Sequence, residues 1–197
     1  MATRGFDLFA AGLGLLILSP FLAIIALLIR VTSPGPALFR QQRVGRDGRP
    51  FAIYKFRTMR HDAEALGGQL TVRGDPRITP LGAILRRFKI DELPQLINVV
   101  KGDMALVGPR PEVPRYVARY DARQRDVLRV RPGITDPASV AYRDENRLLA
   151  ASSDPERTYV EQVMPAKLAM NLEYLERRTL LSDIAVIVQT LRRIVLG

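Results

Sequence analysis

The chain has 197 residues, enough for one domain with a substantial core. Its formal charge of +10 and pI of about 10.6 favour anionic partners, whether nucleic acid, lipid headgroups or phosphorylated small molecules. The absence of cysteine excludes disulfides, thiolate metal sites and cysteine nucleophiles, and a Ser-His-Asp triad would have to use the single histidine, His61, which lies in the polar stretch MRHDAEAL and reads as a surface residue at the start of a helix or loop.

Residues 6–29, FDLFAAGLGLLILSPFLAIIALLI, are apolar almost without interruption. As a helix they would extend about 36 Å, enough to cross a hydrocarbon core of about 30 Å. A signal peptide fits poorly, because only MATR precedes the run and no small-x-small cleavage site follows before RVTSPG. Near the middle stands Ser19-Pro20. Pro20 has no N–H and its ring clashes with the Leu16 carbonyl, so a break is expected there, and the Ser19 hydroxyl can bond a freed carbonyl. Arg4 and the terminal amine flank one end; Arg30, Arg40, Arg43, Arg46 and Arg49 flank the other. Positive charge stays on the cytoplasmic side, so a helix that dips into the bilayer and returns satisfies both facts, its halves at 8–19 and 21–29 each being too short to cross. A single kinked span stays open on the residues alone. A buried soluble helix is disfavoured, since the run is apolar all round.

After the turn VTSPGPAL, residues 38–44 and 51–56 read as two strands around GRDGRP, a β-hairpin from whose second strand Lys55 and Arg57 leave on the same face. Thr79 is a plausible N-cap with Pro80 at the first helical position, and that helix should run to about Phe88. A second helix is expected from about Asp91-Glu92 to Gly102, burying Leu93, Leu96, Ile97 and Val100. MALVGPRPE reads as a short strand and turn. Val113, Tyr116, Val117 and Tyr120 recur at helical spacing among Arg115, Arg119 and Arg123, an amphipathic helix with a basic face. VRPGITDPAS reads as loop or short strand. Helices follow over about 156–177 and 180–196, the last with a stripe of Leu180, Ile184, Ile187, Val188, Leu191 and Ile194 read as core rather than membrane-binding. No repeat, low-complexity tract or linker divides the chain, so the expected organisation is an anchor over 1–30 and a catalytic domain over 31–197.

Asp91 and Glu92 stand side by side before Leu93-Pro94. Both suit the positive end of a helix as a cap and a first-turn acid. The same field keeps a carboxylate ionised, hence usable as a nucleophile, and it also attracts phosphate. Two anions can meet only if something neutralises them, and Lys55, Arg57, Arg86, Arg87 and Arg110 are the candidates, together with a hard divalent cation on Asp91, most simply Mg²⁺. Arg110 is stiffened by Pro109 and Pro111 and presents a fork suited to phosphate oxygens. A structural salt bridge is its alternative. The chain carries no Walker A motif, dinucleotide fingerprint, zinc spacing or HExxH.

YKFRTMR, DPRITPLGAILRRFKIDELPQLINVVKGDMALVGPRPE and RPGIT, in that order behind an apolar stretch broken by Ser-Pro, resemble the bacterial sugar transferase family, the monotopic phosphoglycosyl transferases. The resemblance runs from the anchor to about Thr135 and continues weakly to the C-terminus. It implies an α+β, mostly helical fold: a re-entrant membrane helix broken at Ser19-Pro20, then a small cytoplasmic α/β catalytic domain with a β-hairpin and amphipathic interfacial helices. It implies transfer of a sugar 1-phosphate from a UDP-sugar to undecaprenyl phosphate at the cytoplasmic face of the bacterial plasma membrane, with release of UMP. The family's Asp-Glu dyad falls on Asp91 and Glu92. Asp91 would attack the β-phosphate to form a covalent phosphosugar and, with the diphosphate, hold Mg²⁺; Glu92 would orient or assist. Lys55 falls on the family's KFRTM lysine and Arg110 on its GPRP arginine, both phosphate contacts. Arg57, Arg86, Arg87 and Glu112 complete the expected substrate-binding set, and Arg131 of RPGIT is assigned to the nucleotide.

Two departures bear on sugar identity and the C-terminal site residues. TDPASVAYRDEN stands where many members continue with Gly-x-x-Gln-Val, and Asn171-Leu172-Glu173-Tyr174 stands where an Asp-x-x-Tyr is typical. The chain resembles the minimal catalytic form of the family. Its expected partners are UDP-sugar, undecaprenyl phosphate and the phospholipid membrane, not nucleic acid; a homodimer is left open. The rival reading is a non-enzymatic, membrane-anchored basic protein that binds anionic lipid or nucleic acid. It predicts no need for Asp91 or Glu92, and acids in a basic groove would weaken phosphate binding.

Overall fold

The computed structural model describes residues 2–60, 62–63, 71 and 74–196. His61 and most of the segment after it lie outside the described residues. The fold is mostly helical α+β, with the expected hairpin and one further pair of short strands.

Helix α1, Ala2–Thr32, has 31 residues and is long and apolar enough to cross a membrane. It is carried through Ser19-Pro20 rather than divided into two halves there. The reason is local. Pro20 leaves the Leu16 carbonyl without its usual N–H donor, and the Ser19 hydroxyl donates to that oxygen at 2.9 Å. On its outer side Phe9, Leu16, Ile17, Ile24, Leu27 and Val31 are exposed. Its inner side is held at both ends by the same folded body. Arg4 donates to the carbonyls of Val99 (2.8 Å) and Met104 (3.2 Å), Asp7 accepts from the Leu106 N–H at 3.2 Å, and Ala11 is buried with Ile53, Val99 and Met104. Towards the other end, Ile25 and Ile29 are buried against Phe56 and Leu85.

Strands β1 (Leu38–Val44) and β2 (Pro50–Phe56) pair antiparallel, from Leu38 opposite Phe56 to Val44 opposite Pro50. Helix α2 (Pro80–Arg87) begins as the sequence predicts, with the Thr79 hydroxyl oxygen accepting from the Gly82 N–H at 3.0 Å and Pro80 in the first position. Gly82 lies hard against the end of β2. A Cβ there would sit 2.1 Å from the Thr58 carbonyl oxygen, so a side chain does not fit.

The next helix starts later than expected. Asp91 and Glu92 belong to a single 3₁₀ turn, Ile90–Glu92, and helix α3 spans Gln95–Lys101, ending as predicted at Gly102 with φ 93°. The expected apolar face is also corrected: Gln95, Asn98 and Val99 are buried, whereas Val100 is 45% exposed. Asn98 explains the rotation. Its side chain accepts from the Tyr54 N–H (3.0 Å) and donates to the Ala52 carbonyl (2.8 Å), pinning α3 to β2 through a fully satisfied buried amide.

Strands β3 (Ala105–Val107) and β4 (Gly133–Thr135) pair in parallel. Between them lie α4 (Pro114–Val117) and a 3₁₀ stretch over Gln124–Arg129. The predicted Val113, Tyr116, Val117 and Tyr120 face is buried although its helix is only four residues long. Helices α5 (Pro137–Ala141) and α6 (Glu145–Ala150) have no counterpart in the sequence reading. The predicted 156–177 helix is present as α7 (Pro155–Thr158), a π turn at Tyr159–Val163, and α8 (Met164–Glu176). In α9 (Leu180–Leu196) half of the stripe read as core is uncovered: Ile184, Val188 and Leu191 are exposed, as are Leu181 and Val195, while Leu180, Ile187 and Ile194 are half-buried. The helix docks through the buried Val186 and through polar residues. Asp183 accepts from Arg178 (2.9 Å) and Tyr174 (2.5 Å), and Thr190 shares a 2.7 Å hydrogen bond with Thr135.

Candidate active site

Lys89 takes a left-handed conformation, φ 56°, straight after α2, and this turns the chain so that Asp91 and Glu92 both face inward, 7% and 8% exposed. Glu92 is gripped from two sides. Its Oε1 accepts from Lys55 Nζ at 2.8 Å and from Arg110 Nη2 at 2.6 Å. Asp91 Oδ1 is buried with no hydrogen-bond partner among the described residues, so the acid is not the helix cap that spacing allowed. The two carboxyls are thereby driven apart. Burial, and then the charge of Glu92, push Asp91 above the ordinary carboxylate range. Burial works against Glu92 too, but the Arg110 and Lys55 charges overcome it and hold Glu92 well below that range. Burial outweighs Glu92 at Lys55 and brings its ammonium down to about 8.

This turn opens onto a cavity of about 2040 Å³. Its lining includes Lys55, Arg86, Arg87, Lys89, Asp91, Glu92, Arg110 and Glu112, together with Tyr142, Asn146, Tyr159 and Lys167. Arg86 donates from Nε to the Thr58 hydroxyl at 2.8 Å, and Arg87 lies 5.5 Å from the Phe88 ring centre. The structure thus brings together Asp91, Glu92, Lys55, Arg86, Arg87, Arg110 and Glu112.

Arg57 also lines the cavity, but its guanidinium is turned to main-chain carbonyls at the exit of α1, including Ser33 at 2.8 Å, rather than to the dyad. Arg131 donates from Nε to the Gly102 carbonyl at 2.8 Å and is not among the described residues that line the cavity. Both arginines end on carbonyls of chain turns, whose partial negative charge a buried guanidinium satisfies.

Sequence reasoning missed the frame around Arg110. Arg43 donates to the Pro111 carbonyl at 3.1 Å, and the Val44 N–H donates to the Glu112 carbonyl at 2.9 Å. The Glu112 carboxylate accepts from the Tyr159 hydroxyl and lies 3.7 Å from Arg43. Glu112 is therefore spoken for by the protein itself, and the Pro109-Arg110-Pro111 segment is fixed from β1 on one side and the π turn on the other. The prolines signalled stiffness; nothing local signalled Arg43 or Tyr159.

A group of three or more acidic or imidazole ligands that could cage a metal is absent among the described residues. Mg²⁺ does not require one, since it binds through one or two carboxylates and substrate phosphates. The unpartnered Oδ1 of Asp91, facing a basic cavity, fits that donor set.

The family model for bacterial sugar transferases matches residues 1–197, so the likeness extends past Thr135 to the end of the chain. The chain belongs to the bacterial sugar transferase family. It is 38% identical over 199 residues to the UDP-N-acetylgalactosamine-undecaprenyl-phosphate N-acetylgalactosaminephosphotransferase of Aeromonas hydrophila, a match covering 98% of this chain and 44% of that protein. Over 198 residues it is 38% identical to the UDP-glucose:undecaprenyl-phosphate glucose-1-phosphate transferase of Caulobacter vibrioides, covering 95% of this chain and 67% of that one. It is 30% identical over 212 residues to the exopolysaccharide production protein ExoY of Rhizobium meliloti, of which 87% is covered. The chain thus spans less than half of the Aeromonas relative and most of the Rhizobium one.

Proposed function

We propose that the chain transfers a sugar 1-phosphate from a UDP-sugar to undecaprenyl phosphate, releasing UMP, by two displacements at one phosphorus. The observation that carries this reading is the dyad itself: a buried carboxylate with an unpartnered oxygen beside a second carboxylate that two cations hold ionised. In the first step an Asp91 carboxylate oxygen attacks the β-phosphorus, the bond to the bridging oxygen breaks, and UMP leaves with that electron pair. In the second, an oxygen of the lipid phosphate attacks the same phosphorus, the aspartyl bond breaks, and Asp91 is restored as carboxylate. No net proton is needed at the nucleophile. Glu92 holds Lys55 and Arg110 in place, and those cations with Arg86 and Arg87 neutralise the diphosphate and the charge gathering on its oxygens. Mg²⁺, held by Asp91 and the diphosphate, would supply further charge neutralisation and favour the ionised form of the Asp91 carboxyl against the opposing effect of burial.

A lipid acceptor calls for an active site at headgroup depth. The bare apolar side of α1, combined with its two ends gripped by one body, supports an anchor that enters one leaflet and returns at Ser19-Pro20, with the catalytic body over 31–197 on the cytoplasmic face of the plasma membrane. The uncovered stripe of α9 suits the same interface.

The test is UMP release and lipid-linked product from a panel of UDP-sugars with undecaprenyl phosphate and Mg²⁺ in a bilayer, and capture of sugar phosphate on Asp91 from labelled donor without acceptor. One sugar should stand out and the label should sit on Asp91. Silence across the panel overturns the transferase reading, and turnover with no trappable label overturns the covalent step.

A further inference from the structure

The Arg57 guanidinium is 7% exposed, yet no acid pairs with it among the described residues. It donates instead to a run of carbonyls where α1 ends: Ser33 at 2.8 Å, Gly35 at 3.4 Å, Ile29 at 3.5 Å and also Pro34. Its main-chain N–H donates to the Ala37 carbonyl at 2.9 Å. Three of these carbonyls follow the end of α1 and the fourth, Ile29, also accepts from the Ser33 N–H at 3.1 Å; main-chain carbonyl oxygens carry partial negative charge, and a guanidinium fork can collect several of them. The residues on either side of Arg57 reach the reaction centre: Lys55 binds Glu92 at 2.8 Å, and the Thr58 hydroxyl accepts from Arg86 at 2.8 Å. Four consecutive residues therefore join the anchor's exit to Glu92 and Arg86 at the cavity.

We infer that Arg57 is a positioning residue which fixes the depth of the dyad relative to the anchor, and that it serves the lipid acceptor rather than the nucleotide donor. The inference rests on the transferase reading above. A UDP-sugar arrives from water and can follow the cavity wherever it sits. The phosphate of a long-chain polyprenyl phosphate is held at a depth set by the bilayer, so only the second displacement requires that anchor and dyad keep a fixed separation. Displacing a reacting group by about 1 Å can cost about a hundredfold in rate.

The experiment uses the full chain in phospholipid vesicles and the variant Arg57→Gln. Three quantities are read: the donor-only UMP burst, kcat/KM for bilayer-held undecaprenyl phosphate, and kcat/KM for a short, water-soluble isoprenyl phosphate. The burst rate and the soluble acceptor should stay within about twofold of wild type, while the bilayer-held acceptor should fall about tenfold to a hundredfold. Arg57→Lys, which keeps the charge but reaches fewer carbonyls, should fall between. Equal loss on both acceptors would mean that Arg57 meets the acceptor phosphate directly and would overturn the inference; so would no loss on either. Should Arg57→Gln fail to fold, the double variant Pro34→Gly, Pro36→Gly slackens the same exit and leaves Arg57 and the dyad intact. It should show the same selectivity, and unselective behaviour there also overturns the inference. A wild-type chain that releases no UMP from any UDP-sugar overturns the transferase reading first, and this inference with it.

Discussion

The dyad turn and the anchor exit meet strand β2 two residues apart, at Lys55 and Arg57, and they use their cations in opposite ways. Lys55 faces a carboxylate in a buried site, and its ammonium is brought down to about 8, within reach of physiological pH. Arg57 faces only carbonyls and has nothing to exchange a proton with. A basic residue in the strand and one just past its end thus divide into a chemical element, responsive to charge and pH, and, on the inference above, a mechanical one. What separates them is the partner, since a carboxylate makes a cation adjustable and a row of carbonyls makes it a tie.

That contrast can be broken most sharply at Asp91. Asp91→Asn should lower turnover by about three orders of magnitude or more while membrane recovery stays normal, because the proposed nucleophile is removed and little else changes. Turnover near wild type, measured as UMP release, would move the chemistry elsewhere. Glu92→Gln comes next, with an expected loss of about a hundredfold or more, since both Lys55 and Arg110 lose the charge that holds them. Arg110→Lys should cost about tenfold to a hundredfold in kcat/KM for the UDP-sugar, because a point charge replaces the fork on a backbone too stiff to adjust. Unchanged donor kinetics would return Arg110 to the purely structural salt bridge. The smallest effect sharpens the comparison best. Asp91 is raised and must ionise, so kcat/KM should climb with pH through a value above the ordinary carboxylate range. Lys55 is lowered and must stay charged, so kcat/KM should fall again as pH rises through about 8. In Lys55→Arg the charge persists and that alkaline fall should disappear, even if the peak rate is only modestly reduced.

Much of the local punctuation was legible. Thr79-Pro80 opened a helix, Gly102 closed one, and GRDGRP turned a hairpin, because each signal acts within a few residues. The site was legible through Asp91, Glu92, Lys55 and Arg110, where the family likeness singled out residues that spacing left equivocal. The failures share one cause. The face of α3, the docking of α9 and the employment of Arg57 and Arg131 are decided by distant polar partners: Ala52 and Tyr54 for Asn98, Thr135 for Thr190, Ser33 for Arg57, Gly102 for Arg131. Hydrophobic periodicity carries no information about hydrogen bonds made across the fold, so it placed only part of the buried face of α3 and of α9.

The π turn at Tyr159–Val163 has a consequence for how this region can vary. Such a turn holds one residue more than the α-helix around it, and that surplus sets the rotation at which Tyr159 meets Glu112. Loss of a single residue between Val160 and Gln162 would let the segment wind as an ordinary helix with its far end still packed. The hydroxyl would then swing off Glu112, and the arginine loop would be left held from β1 alone, through Arg43 and Val44, without any change to the loop itself.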